Sequence, residues 1–257
     1  MITWYGYVLI GLAGVAAGIV NALAGGGTLI SFPLLTAVGV PPVVANVTNS
    51  VALTPGYLGA TWAQAAQLDA QKKRLRWVIP VSILGGLAGG ILLLRTGEKL
   101  FSALVPWLIL LSAVLLAVQM PVRKWVMRRA QQSGSAPRVE AWAALPIGLV
   151  AVYGGYFGGG LGVIVMAVLG LTLEDSLTRL NAVKQVISVS VHLASALYFA
   201  FSGQVLWTAA LVMAVGALAG GALGGRLVGK IKPETLRWIV VGIGTAIVTR
   251  LPEKKLV

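Results

Sequence analysis

Long apolar runs separated by short cationic clusters constrain this chain more than any other feature. Ten apolar segments are read, at roughly 5–23, 27–38, 43–64, 76–94, 100–119, 142–157, 160–171, 176–202, 205–225 and 235–250. A helix that spans roughly 30 Å of hydrocarbon needs about 20 residues, and most of these runs supply them. In lipid the backbone must satisfy its own polar groups, so such runs fold as helices. Composition agrees: 58% of the 257 residues are hydrophobic and only 11% are charged. A soluble domain carries about 25% charged residues. This excludes an ordinary soluble enzyme, and the high hydropathy excludes disorder. The chain reads as an all-α integral membrane protein.

Composition also removes chemistries. There is no cysteine, so thiol catalysis and Cys-based metal sites are absent. One histidine, His192, and seven acids make a His/carboxylate metal cluster improbable, so no metal and no cofactor is expected. Paired acids and a nucleophile–base pair are missing too, and no enzyme activity is expected. The net charge of +13 could suggest nucleic acid. Nucleic-acid binders spread Lys and Arg over a solvated face, whereas here the cations flank apolar runs. The expected partners are the lipid bilayer and a small solute, with no nucleic acid.

Two segments, 27–38 and 160–171, are too short to span. Each follows a triple glycine, Gly25-Gly26-Gly27 or Gly158-Gly159-Gly160, and so reads as the return arm of a re-entrant hairpin. Backbone broken at membrane depth is tolerated only where protein buries it or a cavity is lined. Only Met1–Trp4 precede the first run, without a basic n-region or cleavage site, so no signal peptide is expected.

Positive charge sets the orientation. The loops holding Lys72, Lys73, Arg74 and Arg76, then Arg123, Lys124, Arg128, Arg129 and Arg138, then Arg226, Lys230, Lys232 and Arg237 contain thirteen of the twenty cations. All three lie on the cytoplasmic side only if each Gly-tipped pair enters and leaves by one face. Each half then crosses an odd number of times and the second half is inverted. The expected architecture is an inverted repeat, each half a Gly-tipped broken-helix hairpin plus three transmembrane helices. The first repeat covers 1–120, a basic cytoplasmic linker 121–141, and the second repeat 142–257. The tail cations Arg250, Lys254 and Lys255 would then lie outside, against the rule.

The halves also match in ordered blocks. Ala24-Gly-Gly-Gly-Thr28 corresponds to Phe157-Gly-Gly-Gly-Leu161, and Ala45-Asn46-Val47-Thr48-Asn49 to Leu180-Asn181-Ala182-Val183-Lys184. Gly85, Gly89 and Gly90 correspond to Gly216, Gly220 and Gly221. Inverted repeats with broken helices recur in secondary transporters, with substrate near the midplane.

These blocks hold the candidate site. A helix that begins in mid-membrane offers unpaired N–H groups and the positive end of its dipole, an anion site. The tips therefore nominate Gly25, Gly26, Gly27, Gly158, Gly159 and Gly160, with Thr28 adding a hydroxyl that Leu161 cannot. Lys184 lies about 12 Å into its helix at 1.5 Å per residue, and an ammonium there is costly unless it serves a purpose. Asn181 and Gln185 flank it, and Asn46 and Asn49 carry the matching face of segment 3. Each asparagine alone also fits a role as interhelical glue. His192, two turns beyond Lys184, is the one group inside a span that titrates near neutrality, hence a possible coupling residue.

The two Gly-rich broken hairpins, the basic central linker and the Asn181-x-x-Lys184 helix resemble the sulfite exporter TauE/SafE family of permeases over essentially the whole chain. The resemblance implies a multi-pass protein of the prokaryotic inner membrane that moves sulfur oxyanions such as sulfite or organosulfonates. It carries the site to Gly25–Gly27, Asn46, Asn49, Gly158–Gly160, Asn181 and Lys184. An anion channel, or a permease for another small anion, is the alternative.

Overall fold

The computed structural model describes residues 2–132, 143–173 and 175–227. Among them there are helices and connecting turns and no strand, as expected for an all-α membrane protein. The tenth segment, Arg237 and the tail lie outside the described residues, as do Lys230, Lys232, Glu174 and the centre of the linker.

Helix α1 (Trp4–Leu23) breaks at the first glycine triplet and the short α2 (Thr28–Ala37) returns from it. Helix α3 (Pro42–Trp62) follows, with Pro42 in the first turn, where a missing N–H costs nothing. The Glu98 carboxylate accepts the Val43 N–H at 3.2 Å, an acid at the positive end of the α3 dipole. Helix α4 (Lys72–Ala117) contains two expected spans as two limbs, joined at Gly97, whose φ of 71° suits only glycine. Helices α6 (Ala144–Tyr156) and α7 (Leu161–Thr172) form the second broken pair, followed by α8 (Leu177–Ala200) and α9 (Trp207–Leu227).

The stretch 121–141, expected to be a basic cytoplasmic linker, is helical at its start, where α5 spans Gln119–Gln132. Gln, Arg, Lys and Met are all good helix formers, Pro121 falls in the first turn of α5 where its missing N–H costs little, and the next breakers come only after Gln132.

Burial is the reverse of a soluble protein's. Leu12, Leu84, Leu145, Leu197 and Val215 are exposed, while Asn46, Thr48, Asn49, Ser50, Lys184, Gln185 and Ser188 are buried. The polar faces of α3 and α8 meet in the centre, while the more apolar α4 is less buried within the protein. Four described helices, α1, α4, α8 and α9, are long and apolar enough to cross a membrane.

Close packing fixes how these helices interlock. Helix α9 packs on α1 and α3, and α4 packs on α6 and α8. A Cβ on Gly216 would strike the Gly11 carbonyl, and one on Gly220 the Val15 carbonyl. On the other side, Gly85 meets the Gly148 carbonyl and Gly89 that of Val152. Gly86 faces the Val191 carbonyl as Gly56 faces that of Ala217. Glycine at these positions lets backbones touch, the usual solution for helices in lipid. The first helix of each hairpin thus packs on a helix from the other half of the chain.

Candidate functional site

A broken helix leaves its last carbonyls and first N–H groups without intrahelical partners. At membrane depth, water is not there to take them. In this protein side chains take them. The Gly27 N–H donates to Asn21 Oδ1 at 2.7 Å. The Ala22 carbonyl accepts from Gln185 Nε2 at 2.9 Å and from Lys184 Nζ at 3.4 Å. The Ala24 carbonyl accepts from Gln119 Nε2 at 3.2 Å. At the second tip, the Tyr156 carbonyl accepts from Asn46 Nδ2 at 2.8 Å, and the Tyr153 hydroxyl donates to the Gly159 carbonyl.

The arrangement is reciprocal. Helix α8 holds the end of α1, and α3 holds the end of α6. The tips themselves meet: a Cβ on Gly25 would collide with the backbone of Gly162, and Lys184 Cδ lies beside the same glycine. Gly25, Gly158 and Gly160 have φ of 82°, 76° and 71°, so the turns demand glycine. Phe157, which opens the second tip, packs edge-on to Phe32 of α2 at 5.4 Å. The two hairpins therefore form one structure around the α3–α8 contact.

The candidates divide as follows. The six tip glycines, Thr28, Asn46, Lys184 and Gln185 are all buried at or beside the tips, and Asn49 is buried about one turn along α3 from Asn46. Lys184 is only 2% exposed. The amide nitrogens of Asn46 and Gln185 are committed to tip carbonyls. Asn181 stands apart: its Nδ2 donates to Gln64 Oε1 at 2.7 Å, at the end of α3, so it ties two helices together. His192 is 1% exposed, stacks on Tyr57 with ring centroids 4.6 Å apart, and lies against Gly158. Among the described residues, neither of its ring nitrogens has a hydrogen-bond partner.

Sequence reasoning missed Asn21, Gln119 and Tyr153. Each is a polar side chain in or next to an apolar run within a few residues of a tip in sequence or space. That signal was visible for Asn21 and Tyr153, which stand just before the triplets. For Gln119 it was not, since its contact with Ala24 is made across the fold.

A polar junction lies at the end of the molecule that carries Lys72–Arg76. Asp175 Oδ2 accepts from Arg74 Nη1 and from Gln71 Nε2, each at 2.6 Å, and Asp175 Oδ1 accepts the Ser176 N–H at 2.8 Å. Arg179 adds a longer ion pair of 3.5 Å. Burial raises the Asp175 pKa, but the hydrogen bonds from Gln71, Ser176 and Arg74 and the Arg74 charge outweigh it. The carboxyl is held below its ordinary range. Ser176 caps α8 through the Arg179 N–H, as its place before the helix suggested.

Comparison with known proteins matches this architecture. The sulfite exporter TauE/SafE family covers residues 10–251. A "probable membrane transporter protein" of Haemophilus influenzae is 27% identical over 84% of this chain and 82% of its own length. The "probable membrane transporter protein YfcA" of Escherichia coli K12 is 24% identical over 91% and 85%. A "probable membrane transporter protein ORF9" of Sinorhizobium is 24% identical over 93% and 90%. These bacterial relatives agree with a multi-pass protein of the prokaryotic inner membrane. With apolar helices outside, two broken hairpins meeting inside and near full-length relatives, the chain is a membrane transporter belonging to the sulfite exporter TauE/SafE family.

Proposed function

We propose that this chain is a secondary transporter for a small sulfur-containing oxyanion, such as sulfite or an organosulfonate, held near the midplane between two inverted repeats. One observation carries the reading. The Lys184 ammonium is buried at the meeting point of two broken helices, bonded to the helix-end carbonyl of Ala22. A cation in a dry site attracts an anion far more strongly than a solvated one does. The N-terminal ends of α2 and α7 add favourable dipoles. Gly25–Gly27, Thr28, Asn46, Asn49, Gly158–Gly160, Lys184 and Gln185 line this site, while Asn181 supports it from the Gln64 contact.

The inverted arrangement, with repeats 1–120 and 142–257 joined by 121–141, is supported by the reciprocal holding of the tips. The matching glycine contacts of α9 with α1 and of α4 with α6 support it too. Transport proceeds by uniport or exchange, and His192 beside Gly158 is the residue to test for coupling. The experiment is radiolabelled flux into proteoliposomes with sulfite, sulfate, thiosulfate and sulfonates. Saturable flux of sulfite or a sulfonate, inhibited by unlabelled anion, is expected. Absence of flux for every sulfur anion, or a non-saturating conductance, contradicts the proposal.

A further inference from the structure

The one histidine of the chain is buried with its polar edge unused. One face of the His192 ring stacks on Tyr57 of α3. The edge of the ring is turned to the second tip: a Cβ on Gly158 would stand 3.0 Å from His192 Cε1 and 3.3 Å from Nε2. Turning the ring over exchanges those two atoms and still leaves a nitrogen at the tip. Among the described residues neither nitrogen has a hydrogen-bond partner. In any protonation state found in a protein, an imidazole carries at least one N–H. A donor is therefore left over here, and buried donors are rarely left unpaired. The described acids stand elsewhere: Asp69 before α4, Glu98 beside the Gly97 kink and Asp175 before α8.

The tip that this edge faces opens α7. Gly160 is its N-cap residue, and no side chain caps the helix. The first N–H groups of a helix and the positive end of its dipole favour negative charge. An imidazole donor and an uncapped helix start converge on one turn, and both are served by an anionic oxygen. We infer that His192 contacts the substrate directly, donating its N–H to an oxyanion held at the start of α7. This rests on the anion-transport reading above, and it assigns His192 to binding rather than to proton coupling. The glycine at 158 then has a second use, since any side chain there would push the ring off the tip.

The wild-type chain carries the test, because its single histidine gives the signals of one imidazole. Protein without a histidine tag, isotopically labelled at the ring nitrogens and held in micelles, is titrated at constant pH. The titrant is the fastest-carried anion of the sulfite, sulfate, thiosulfate and sulfonate panel. A saturable shift of one ring-nitrogen resonance is expected. A flat titration at concentrations that saturate flux overturns the inference and leaves the transport reading standing. Two variants separate direct contact from a remote effect. His192→Phe keeps a ring on Tyr57 but has no N–H, and should raise KM about tenfold or more, the loss of one hydrogen bond to a charged group. His192→Gln supplies an N–H again and should recover most of that loss. An unchanged KM in both folded variants overturns the inference, since the donor then serves an ordered water only. Loss of uptake driven by a pH gradient, with KM unchanged, overturns it too and makes His192 the coupling residue. If the variants do not fold, the titration alone decides. Flux of no sulfur anion by the wild type is the separate failure of the transport reading, and the inference falls with it.

Discussion

Asn46 and Gln185 each complete a helix end of the opposite hairpin through the side-chain nitrogen, and their amide oxygens have no partner among the described residues. Asp175 carries a different burden, joining the start of α8 to Gln71 and Arg74 at the start of α4. Its folded pKa is depressed, so its contribution is complete above the ordinary carboxylate pKa and is lost as pH falls through the depressed value. Asp175→Asn should therefore lower thermal stability in detergent at about pH 7, by the 1.5–3 kcal/mol typical of a charge-assisted hydrogen bond. The gap to wild type should close below about pH 4. A gap that stays constant down to about pH 3 would mean that the Asp175 charge contributes nothing.

At the scale of elements, the glycine faces are where a single methyl matters. The Gly89 position has no room: a Cβ would meet the Val152 carbonyl and the Tyr156 N–H. Both are backbone and cannot swing aside. Gly89→Ala should cost about 1–3 kcal/mol, the range for overpacking, read as a lower melting temperature in micelles. Gly11→Ala, whose Cβ would meet only Val212 Cγ1 at 3.4 Å, should be near neutral. Equal melting of the two variants would show that α4 and α6 do not pack as described.

Much of this level was legible in the sequence. Glycine triplets mark where helices break because few other residues take the required φ, and apolar length separates spans from half-spans. The helix over Gln119–Gln132 was not legible, since a polar stretch whose one proline, Pro121, stands in its first turn suits a helix as well as a linker. The contact of Gly25 with Gly162 and the grip of Gln185 on Ala22 were hidden for another reason. They arise only when distant segments pack, and residue spacing holds no trace of them. The Asn181 match to Asn46 was visible as a block, yet Asn181 bonds Gln64 while Lys184 and Gln185 reach the tip.

The whole molecule is a multi-pass protein of the prokaryotic inner membrane, and its proposed topology has two sides that can be labelled separately. The natural chain has no cysteine, so single cysteines need no prior removal. Lys73→Cys and Gln204→Cys both fall at exposed positions. An impermeant maleimide should label the first only from the cytoplasm and the second only from the periplasm. Labelling of both from one side would contradict the inverted repeat.

The central claim is that an anion crosses by way of Lys184 between the hairpin tips. The most direct measurement compares initial uptake of the fastest-carried anion of the panel into proteoliposomes of wild type, Lys184→Met and Lys124→Ala. Lys184→Met should lose at least about 100-fold, as expected when an intramembrane charge is withdrawn from its ligand. Lys124→Ala, in the exposed part of α5, should stay near normal. Uptake by folded Lys184→Met at the wild-type rate would contradict the account and move the binding site away from the tips.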